Sequence, residues 1–331
     1  MIENKNIAFI SSQKIFNPGE GVERRVNYIF SFLSKKNNVV AFAPYQKLAK
    51  ANKEYYGLNY KHRIFKILDP RIILQIIKLN RKDKFDIIYA TTVWSGLNGL
   101  LSSLFNRAPL YFDEHNVEFL RFKRTSSTLW PIIYLYEWLV CRFAEKIISV
   151  SDTDKRFFIK YYGINPKKIE IFENQADKSI FCPNNKKNKK IRKELGINSN
   201  EKMILFYGQL NYEPNVEALE IIKNQIIPLL ENKKKSYKLV ICGRGDGRGL
   251  LINFKHTNLI FKGFVERIQD YINASDVVIA PLLSGSGTRI KILEALACKK
   301  RVISTSIGVE GLKRNKLLEV EDDWNKFVEK I

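Results

Sequence analysis

Short apolar runs alternate with amphipathic stretches along most of the chain. In the first half, the apolar runs predict strands at residues 6–10, 39–43, 85–90, 110–113, 146–150 and 168–172. Between them, apolar residues recur at helical spacing and predict helices that include 22–35, 71–82 and 132–144. This alternation is typical of a parallel sheet covered by helices.

The second half repeats the pattern after a polar, basic stretch at residues 182–200. Strands are predicted at 203–207, 238–242, 258–261, 276–280, 301–304 and 317–320, and helices at 216–230, 267–274 and 288–299. We therefore predict an α/β protein with two Rossmann-like, doubly wound domains, 1–181 and 182–331, joined by a linker at about 176–200. Such sheets bind ligands at the carboxyl ends of their strands, so we expect a site in a cleft between two facing sheets.

The composition is that of a globular protein, with 45% hydrophobic and 27% charged residues among 331. The four cysteines form no CxxC pair and no His cluster accompanies them, so neither a disulfide framework nor a metal site is predicted. The apolar run near the N-terminus is too short for a signal peptide, and no stretch is long enough to span a bilayer. We expect a cytoplasmic protein, soluble or attached peripherally to the inner face of the cell membrane.

The net charge of +22 indicates an anionic partner: phosphate groups, nucleic acid or an acidic membrane surface. A coding bias is the alternative, because the chain is rich in Lys, Asn and Ile throughout. Residues 47–84 carry eleven basic and three acidic side chains with aromatic residues between them. This segment suits an anionic lipid surface, and it equally suits single-stranded nucleic acid or a solvated face over core aromatics.

The loop at residues 284–288 joins a predicted strand to a predicted helix and has the sequence Ser-Gly-Ser-Gly-Thr. Glycine amides and a helix N-terminus together favour a phosphate group. Arg289 and Lys291 add positive charge, and Lys291 shares a helix face with Glu294. A cation there suits a diphosphate, and a carboxylate suits ribose hydroxyls. An ordinary turn with a surface ion pair is the alternative.

The stretch 280–312 resembles the donor-binding signature of family-4 glycosyltransferases, which are retaining enzymes of the GT-B fold. The family pattern G-T-x-x-K-x-x-E-A followed by V-I-x-T-x-x-G-x-E-G-L fits Gly287, Thr288, Lys291, Glu294, Ala295, Val302, Ile303, Thr305, Gly308, Glu310, Gly311 and Leu312. Segments 146–177, 204–219 and 239–282 resemble the family in the same order, so the similarity covers nearly the whole chain.

The resemblance implies a hexosyltransferase-like enzyme that moves a sugar from a UDP- or GDP-sugar to a glycan or lipid-linked acceptor, without a metal or other cofactor. Arg289 and Lys291 would stabilise the leaving diphosphate, Glu294 would take the ribose hydroxyls, and the base would lie against the turn at 263–265. The expected donor-binding residues are Gly208, Phe264, Val265, Gly285, Ser286, Gly287, Thr288 and Glu294.

In the first domain, the family uses a glycine-rich loop after the first strand to approach the diphosphate and the acceptor. That loop corresponds to Gly19, Glu20 and Gly21, although the bare motif also fits a plain strand–helix turn. His115 follows a predicted strand where the family often places a His beside the transferred sugar, and a structural His is the alternative. Asn116 and Glu118 could read acceptor hydroxyls or cap the next helix.

Three features depart from the family pattern. Ser286 stands where many members have the first of two glutamates, and Gln209 stands where many have an arginine that Arg289 would replace. The chain also ends soon after Trp324, so the usual C-terminal segment looks missing or abbreviated. Two other functions remain open: a nucleotide-sugar epimerase of the same fold, and a non-catalytic module that binds nucleic acid or a partner transferase. Nucleic acid is not expected as a partner.

Overall fold

The computed structural model describes residues 2–16, 21–46, 55–58, 67–252, 254, 256–285 and 287–331, with the backbone alone at 185–188. The chain divides into two compact units, Met1–Asn174 and Gln175–Ile331. The sequence predicted the division at 181/182, and the expected linker contains a helix that packs within the second unit.

The first unit is a sheet of seven parallel strands in the order β3-β2-β1-β4-β5-β6-β7. Its strands are β1 (Asn6–Ser11), β2 (Asn38–Pro44), β3 (Tyr55–Leu58), β4 (Ile87–Thr91), β5 (Leu110–Asp113), β6 (Lys146–Ser149) and β7 (Ile169–Ile171). Its helices are α1 (Gly21–Ser34), α2 (Pro70–Asn80), α3 (Val93–Asn106), α4 (Glu118–Arg124), α5 (Trp130–Phe143) and α6 (Asp152–Tyr162), and a short 3-10 turn lies at Pro166–Lys168.

The second unit is a sheet of six parallel strands in the order β10-β9-β8-β11-β12-β13. Its strands are β8 (Lys202–Tyr207), β9 (Tyr237–Cys242), β10 (Leu259–Gly263), β11 (Val277–Ala280), β12 (Arg301–Ser304) and β13 (Leu318–Val320). Its helices are α7 (Asn185–Glu194), α8 (Glu213–Ile221), α9 (Ile227–Asn232), α10 (Ile268–Ala274), α11 (Ile290–Ala297) and α12 (Trp324–Lys330), with a π-helical turn at Ile222–Ile226. The two sheets confirm the predicted pair of doubly wound α/β domains.

The central strands are apolar along almost all of their length because helices cover both faces of each sheet. In β11 all four residues are buried, and in β8 all but the first are. The strand order reverses direction between the adjacent strands β8 and β11. The connections that follow these two strands therefore run to opposite faces of the sheet. In open α/β sheets, such a reversal creates the crevice that receives ligands.

Helix α3 was not predicted, because Gly96 and Gly99 lower helix propensity in its middle. The structure gives both glycines a packing role. A Cβ on Gly99 would lie 2.6 Å from Cβ of Ala90, and one on Gly96 would meet Val140 at 3.1 Å. Glycine thus lets the helix approach the sheet and helix α5 closely, at a cost in backbone entropy.

Within the described ranges, no helix combines the length and the apolar character that crossing a bilayer requires.

Candidate functional site

Three glycines lie side by side where neighbouring strands of the second unit end. The amide of Gly208 donates to the carbonyl of Cys242 at 3.1 Å, and the amide of Gly243 donates to the carbonyl of Gly263 at 2.8 Å. A Cβ on Gly243 would lie only 1.8 Å from the carbonyl oxygen of Gly208. Glycine at these positions therefore lets the ends of neighbouring strands pack closely against each other.

The Arg289 side chain forms hydrogen bonds with the glycine-rich loop that follows β11. Gly285 and Gly287 have φ of 100° and 73°, a region that favours glycine. The Arg289 guanidinium folds back to donate to the carbonyl of Gly287 and, at 3.3 Å, to that of Ser284. Arg289 therefore ties down loop carbonyls and sets the path of the chain into α11. Thr288, next in the chain, is half-buried, and the predicted role of Ser286 falls outside the described residues.

Lys291 lies in the first turn of α11, and its ammonium group is held by neutral groups. Its Nζ donates to Oδ1 of Asn215 at 2.7 Å and lies 4.6 Å from the ring centroid of Phe206. Burial, together with the positive charge of Arg289, lowers the pKa of Lys291 to about 7. An anion bound beside Nζ would stabilise the protonated form, which is the behaviour of an anion-binding lysine.

Glu294 lies one turn further along α11 and is 2% exposed. The Tyr207 hydroxyl donates to the carbonyl of Lys291 at 2.7 Å and lies 3.3 Å from Oε2 of Glu294. Tyr207 thus joins the end of β8 to the backbone of Lys291 and to the side chain of Glu294 in α11. The alternative of a surface ion pair does not describe Glu294, because its carboxylate is buried.

One aromatic side chain and one cationic side chain lie next to each other at the far end of the same sheet edge. Phe264 follows β10 and is 58% exposed, whereas the neighbouring Val265 is half-buried. The Arg244 guanidinium lies 4.6 Å from the Phe264 ring centroid. Sequence reasoning missed Arg244 and Asn215, although both follow a strand in glycine-bearing segments, Gly-Arg-Gly-Asp-Gly and Gly-Gln-Leu-Asn-Tyr-Glu-Pro-Asn.

In the first unit, His115 lies just beyond β5 with its side chain 10% exposed. Its Nε2 lies 3.6 Å from Oδ2 of Asp113, and neither ring nitrogen has a hydrogen-bond partner within the described part of the chain. Burial lowers the pKa of His115, so the imidazole is neutral at pH 7. Gly21 begins α1, while Gly19 and Glu20 lie outside the described residues.

Asp113 forms a buried ion pair with Arg25 of α1. The Nη2–Oδ1 distance is 2.7 Å, and both side chains are almost fully buried. Arg25 also donates to the carbonyl of Phe172 at 2.9 Å and to Oδ1 of Asn174 at 2.8 Å. Sequence reasoning missed Arg25, because nothing in the local sequence separates it from its neighbour Arg24.

The structure places Asn116 and Glu118 in contact with each other. Asn116 donates to Oε2 of Glu118 at 2.8 Å, and Nε of Arg121 donates to Oε1 of the same carboxylate at 2.9 Å. Neither residue caps α4. Instead, the Glu137 carboxylate accepts from the amides of Glu118 and Phe119 at 2.9 and 3.0 Å.

Glu137 belongs to a buried pair of acids with Glu114. Burial raises the pKa of Glu137 to about 8, even though Tyr162 donates to its Oε2 at 2.5 Å. Burial and the negative charge of Glu137 also raise the pKa of Glu114 well above its ordinary value. The Glu137 carboxylate holds the start of α4 through the amides of Glu118 and Phe119, and the sequence pattern did not reveal this buried pair.

Across the described ranges, no three His, Cys, Asp or Glu side chains come together as a metal site would require.

Two family models match the chain. Residues 19–179 match the model described as "Glycosyltransferase Family 4", and residues 201–331 match the model described as "Glycosyl transferases group 1". The two models meet near the division between the units and leave few residues unmatched.

Several known proteins are similar to the chain. The UDP-Gal:alpha-D-GlcNAc-diphosphoundecaprenol alpha-1,3-galactosyltransferase of Escherichia coli is 27% identical over 77% of this chain and 68% of its own length. An uncharacterized glycosyltransferase of Methanocaldococcus jannaschii is 27% identical over 73% of this chain and 62% of its own. The chain thus spans about two thirds of the length of these relatives.

Solved structures share the fold. HepE of Anabaena, determined with UDP-glucose, has a TM-score of 0.75 at 16% identity and aligns over 99% of this chain and 88% of its own. WaaG, a glycosyltransferase involved in lipopolysaccharide biosynthesis, has a TM-score of 0.66 at 13% identity over 98% and 88% of the two chains. These similarities place both units in the GT-B fold.

Proposed function

The chain belongs to the group 1 glycosyltransferases of family 4, and on that premise we propose that it transfers a sugar from a UDP-sugar to a lipid-linked acceptor. The observation that carries the proposal is Lys291. Its ammonium group donates to Asn215 and lies beside the Phe206 ring at the carboxyl edge of the second sheet, in the first turn of the helix that follows the glycine-rich loop.

In the proposed complex, the diphosphate binds at the glycine-rich edge. Lys291 supplies its countercharge, and the Arg289 guanidinium fixes the loop that receives it. Amides of Gly285, Gly287 and Thr288 would contact phosphate oxygens, as amides at a helix N-terminus do. Gly208 leaves room for Asn215, since a Cβ there would lie 3.0 Å from Nδ2 of Asn215, and Asn215 in turn holds the ammonium group of Lys291.

The nucleoside would bind at the same edge, with its ribose at Glu294 and its base at the turn after β10. Glu294 accepts hydrogen bonds from the ribose hydroxyls, which a buried carboxylate can do strongly because no water competes for it. The base stacks beside Phe264 and Val265, where Phe264 offers an exposed aromatic face beside Arg244. Uridine is the favoured base, because the Escherichia coli relative is named for UDP-Gal and HepE was determined with UDP-glucose.

The proposed reaction retains the configuration at the anomeric carbon and needs no metal ion, as the family resemblance implies. The acceptor hydroxyl oxygen forms a bond to that carbon while the bond from the carbon to the diphosphate oxygen breaks. The hydroxyl proton passes to the leaving diphosphate, whose added charge Lys291 stabilises. His115 forms a hydrogen bond with a hydroxyl group of the sugar or of the acceptor.

We further propose that the enzyme works at the cytoplasmic face of an anionic membrane, where a lipid-linked acceptor would be presented. The support comes from an apolar face on α5. Ile132, Leu135 and Phe143 lie on one side of this helix and are 60–66% exposed, and the exposed Arg142 lies among them. Exposed apolar side chains flanked by cations favour binding to an anionic leaflet.

Helix α3, which contacts α5, also carries exposed apolar side chains. Leu104 and Phe105 near the end of α3 are 60% and 65% exposed, and the exposed Arg107 follows them. The basic segment 47–84 stays a second predicted site of contact with the membrane. The structure does not test it, because residues 47–54 and 59–66 lie outside the described ranges. The relatives named above do not favour an epimerase or a nucleic-acid-binding module.

A thermal-shift screen of nucleoside diphosphates and their sugars tests the donor proposal. A ligand that binds only the folded state raises the melting temperature by mass action. UDP and a UDP-sugar should raise it more than GDP or ADP do, and Lys291→Met should abolish the effect. Equal responses to all nucleotides in both proteins would refute a specific UDP site.

A further inference from the structure

The end of β5 places a carboxylate against an imidazole. Asp113 is 0% exposed, and its Oδ1 accepts from Arg25 at 2.7 Å. Its Oδ2 faces Nε2 of His115 at 3.6 Å and has no hydrogen-bond partner among the described residues. Although burial alone would raise the pKa of Asp113, Arg25 and His115 hold it below its ordinary value, so the carboxylate is ionised.

An ionised carboxylate accepts hydrogen bonds and cannot donate one, so it favours a protonated nitrogen opposite it. In a neutral imidazole one nitrogen carries the proton and the other accepts. Asp113 therefore selects the tautomer with the proton on Nε2, and Nδ1 of His115 is left as an acceptor. The separation of 3.6 Å is longer than a hydrogen bond, and contacts of this kind commonly shorten when substrate binds.

Arg25 sets the charge of the imidazole. Asp113 and Glu118 favour its protonation, whereas burial and the guanidinium of Arg25 oppose it. The carboxylate of Asp113 would draw a second proton onto His115 if Arg25 did not neutralise it. Bonds to Phe172 and Asn174 hold Arg25 in place, so α1 is tied to the ends of β5 and β7.

We propose that Asp113 and Arg25 are positioning residues that hold His115 as a neutral imidazole with its proton on Nε2, so that Nδ1 accepts a hydrogen bond from a substrate hydroxyl. The tautomer and charge are properties of this chain without any ligand, and only the role of Nδ1 rests on the proposed function. An imidazolium has no acceptor nitrogen, so the arrangement keeps His115 able to bind a hydroxyl at neutral pH.

Nuclear magnetic resonance of the full chain with 15N-labelled histidine tests the proposal directly. The chain has only three histidines, His62, His115 and His256, and His115→Ala assigns the relevant signals. We expect the Nε2–H tautomer for His115 in the wild type and loss of that preference in Asp113→Asn. An Nδ1–H tautomer in the wild type would overturn the proposal.

Two variants, Arg25→Met and Arg24→Met, test whether Arg25 sets the charge of His115. Arg25→Met should raise the pKa of His115, whereas Arg24→Met, which removes the same charge one residue earlier, should leave it nearly unchanged. Signals of His256, which lies 2.9 Å from Glu231 in the second unit, serve as the internal control. If Arg25→Met does not fold, Arg25→Gln retains a donor for the Phe172 carbonyl. Equal effects at positions 24 and 25 would refute the role of Arg25.

Kinetics then separate this proposal from the proposed function. Asp113→Asn should lower kcat roughly 10- to 100-fold, as loss of a partner that orients an imidazole commonly does. The affinity for UDP should not change, since the proposed contacts to the nucleotide all belong to the second unit. If the wild type binds no UDP, the donor proposal fails, and the tautomer and titration of His115 still decide the present one.

Discussion

Donor affinity should fall steeply above neutral pH, because Lys291 must be protonated to bind a diphosphate. Burial lowers its pKa from an ordinary 10.5 to about 7 in the free protein, and a bound diphosphate should restore the ordinary value. Between pH 7 and 9 the neutral form in the free protein then rises from about half to nearly all. The expected loss of affinity is about 50-fold, or about 2.3 kcal/mol.

Isothermal titration calorimetry of a UDP-sugar at pH 7, 8 and 9 measures this effect. Repeating the pH 8 titration in buffers with different heats of ionisation gives the proton count, and uptake of about 0.9 proton per ligand is expected from the same pKa. Lys291→Arg is the matched control, because a guanidinium stays charged at all these pH values. Equal affinity at pH 7 and 9 in the wild type, without proton uptake, would refute the reasoning.

Four further changes test other parts of the structure. Glu294→Gln should weaken UDP binding roughly 10- to 150-fold, because it removes a charged acceptor, and unchanged binding by calorimetry would exclude the ribose role. Glu137 keeps a proton in the folded state up to about pH 8 that the unfolded chain releases near 4.5, so stability should fall as pH rises through that window. Glu137→Gln should flatten this decline in melting temperature, and parallel curves would speak against it. Gly243→Ala should destabilise the second unit by at least about 1–3 kcal/mol in urea, because its Cβ would lie 1.8 Å from a carbonyl oxygen, and an unchanged midpoint would contradict that geometry. The double variant Ile132→Glu and Leu135→Glu should lose co-sedimentation with anionic vesicles, whereas retained binding would place the membrane contact elsewhere.

The fold was largely predictable because fully buried parallel strands give continuous apolar runs. The predicted strands 203–207 and 276–280 correspond to β8 and β11 within one residue at each end. Helix α3 escaped the same reasoning, since the glycines that weaken its pattern serve contacts with Ala90 and Val140, which lie elsewhere in the sequence. Strand β3 is short, and its four residues are not fully buried, so it leaves no clear apolar run.

The arrangement of the candidate site was predictable where it depends on local spacing and not where it depends on long-range contacts. Lys291 and Glu294 are three residues apart, and helix α11 brings both to Tyr207 as one group. Asn215 bonds Lys291 across 76 residues of sequence, and Arg25 bonds Asp113 across 88. No local pattern predicts such pairs, because each forms only when the fold brings two separate elements together: α8 and α11 in the first case, α1 and β5 in the second.

A transfer assay with product analysis tests the central proposal most directly. The full chain is incubated with UDP-galactose or UDP-glucose and a sugar-diphosphate lipid in anionic vesicles, and the lipid is examined by mass spectrometry. We expect the lipid to gain one hexose for each UDP released, with no product from Lys291→Met. Conversion of one UDP-sugar into another without acceptor, or an unmodified lipid despite UDP release into water, would contradict glycosyl transfer.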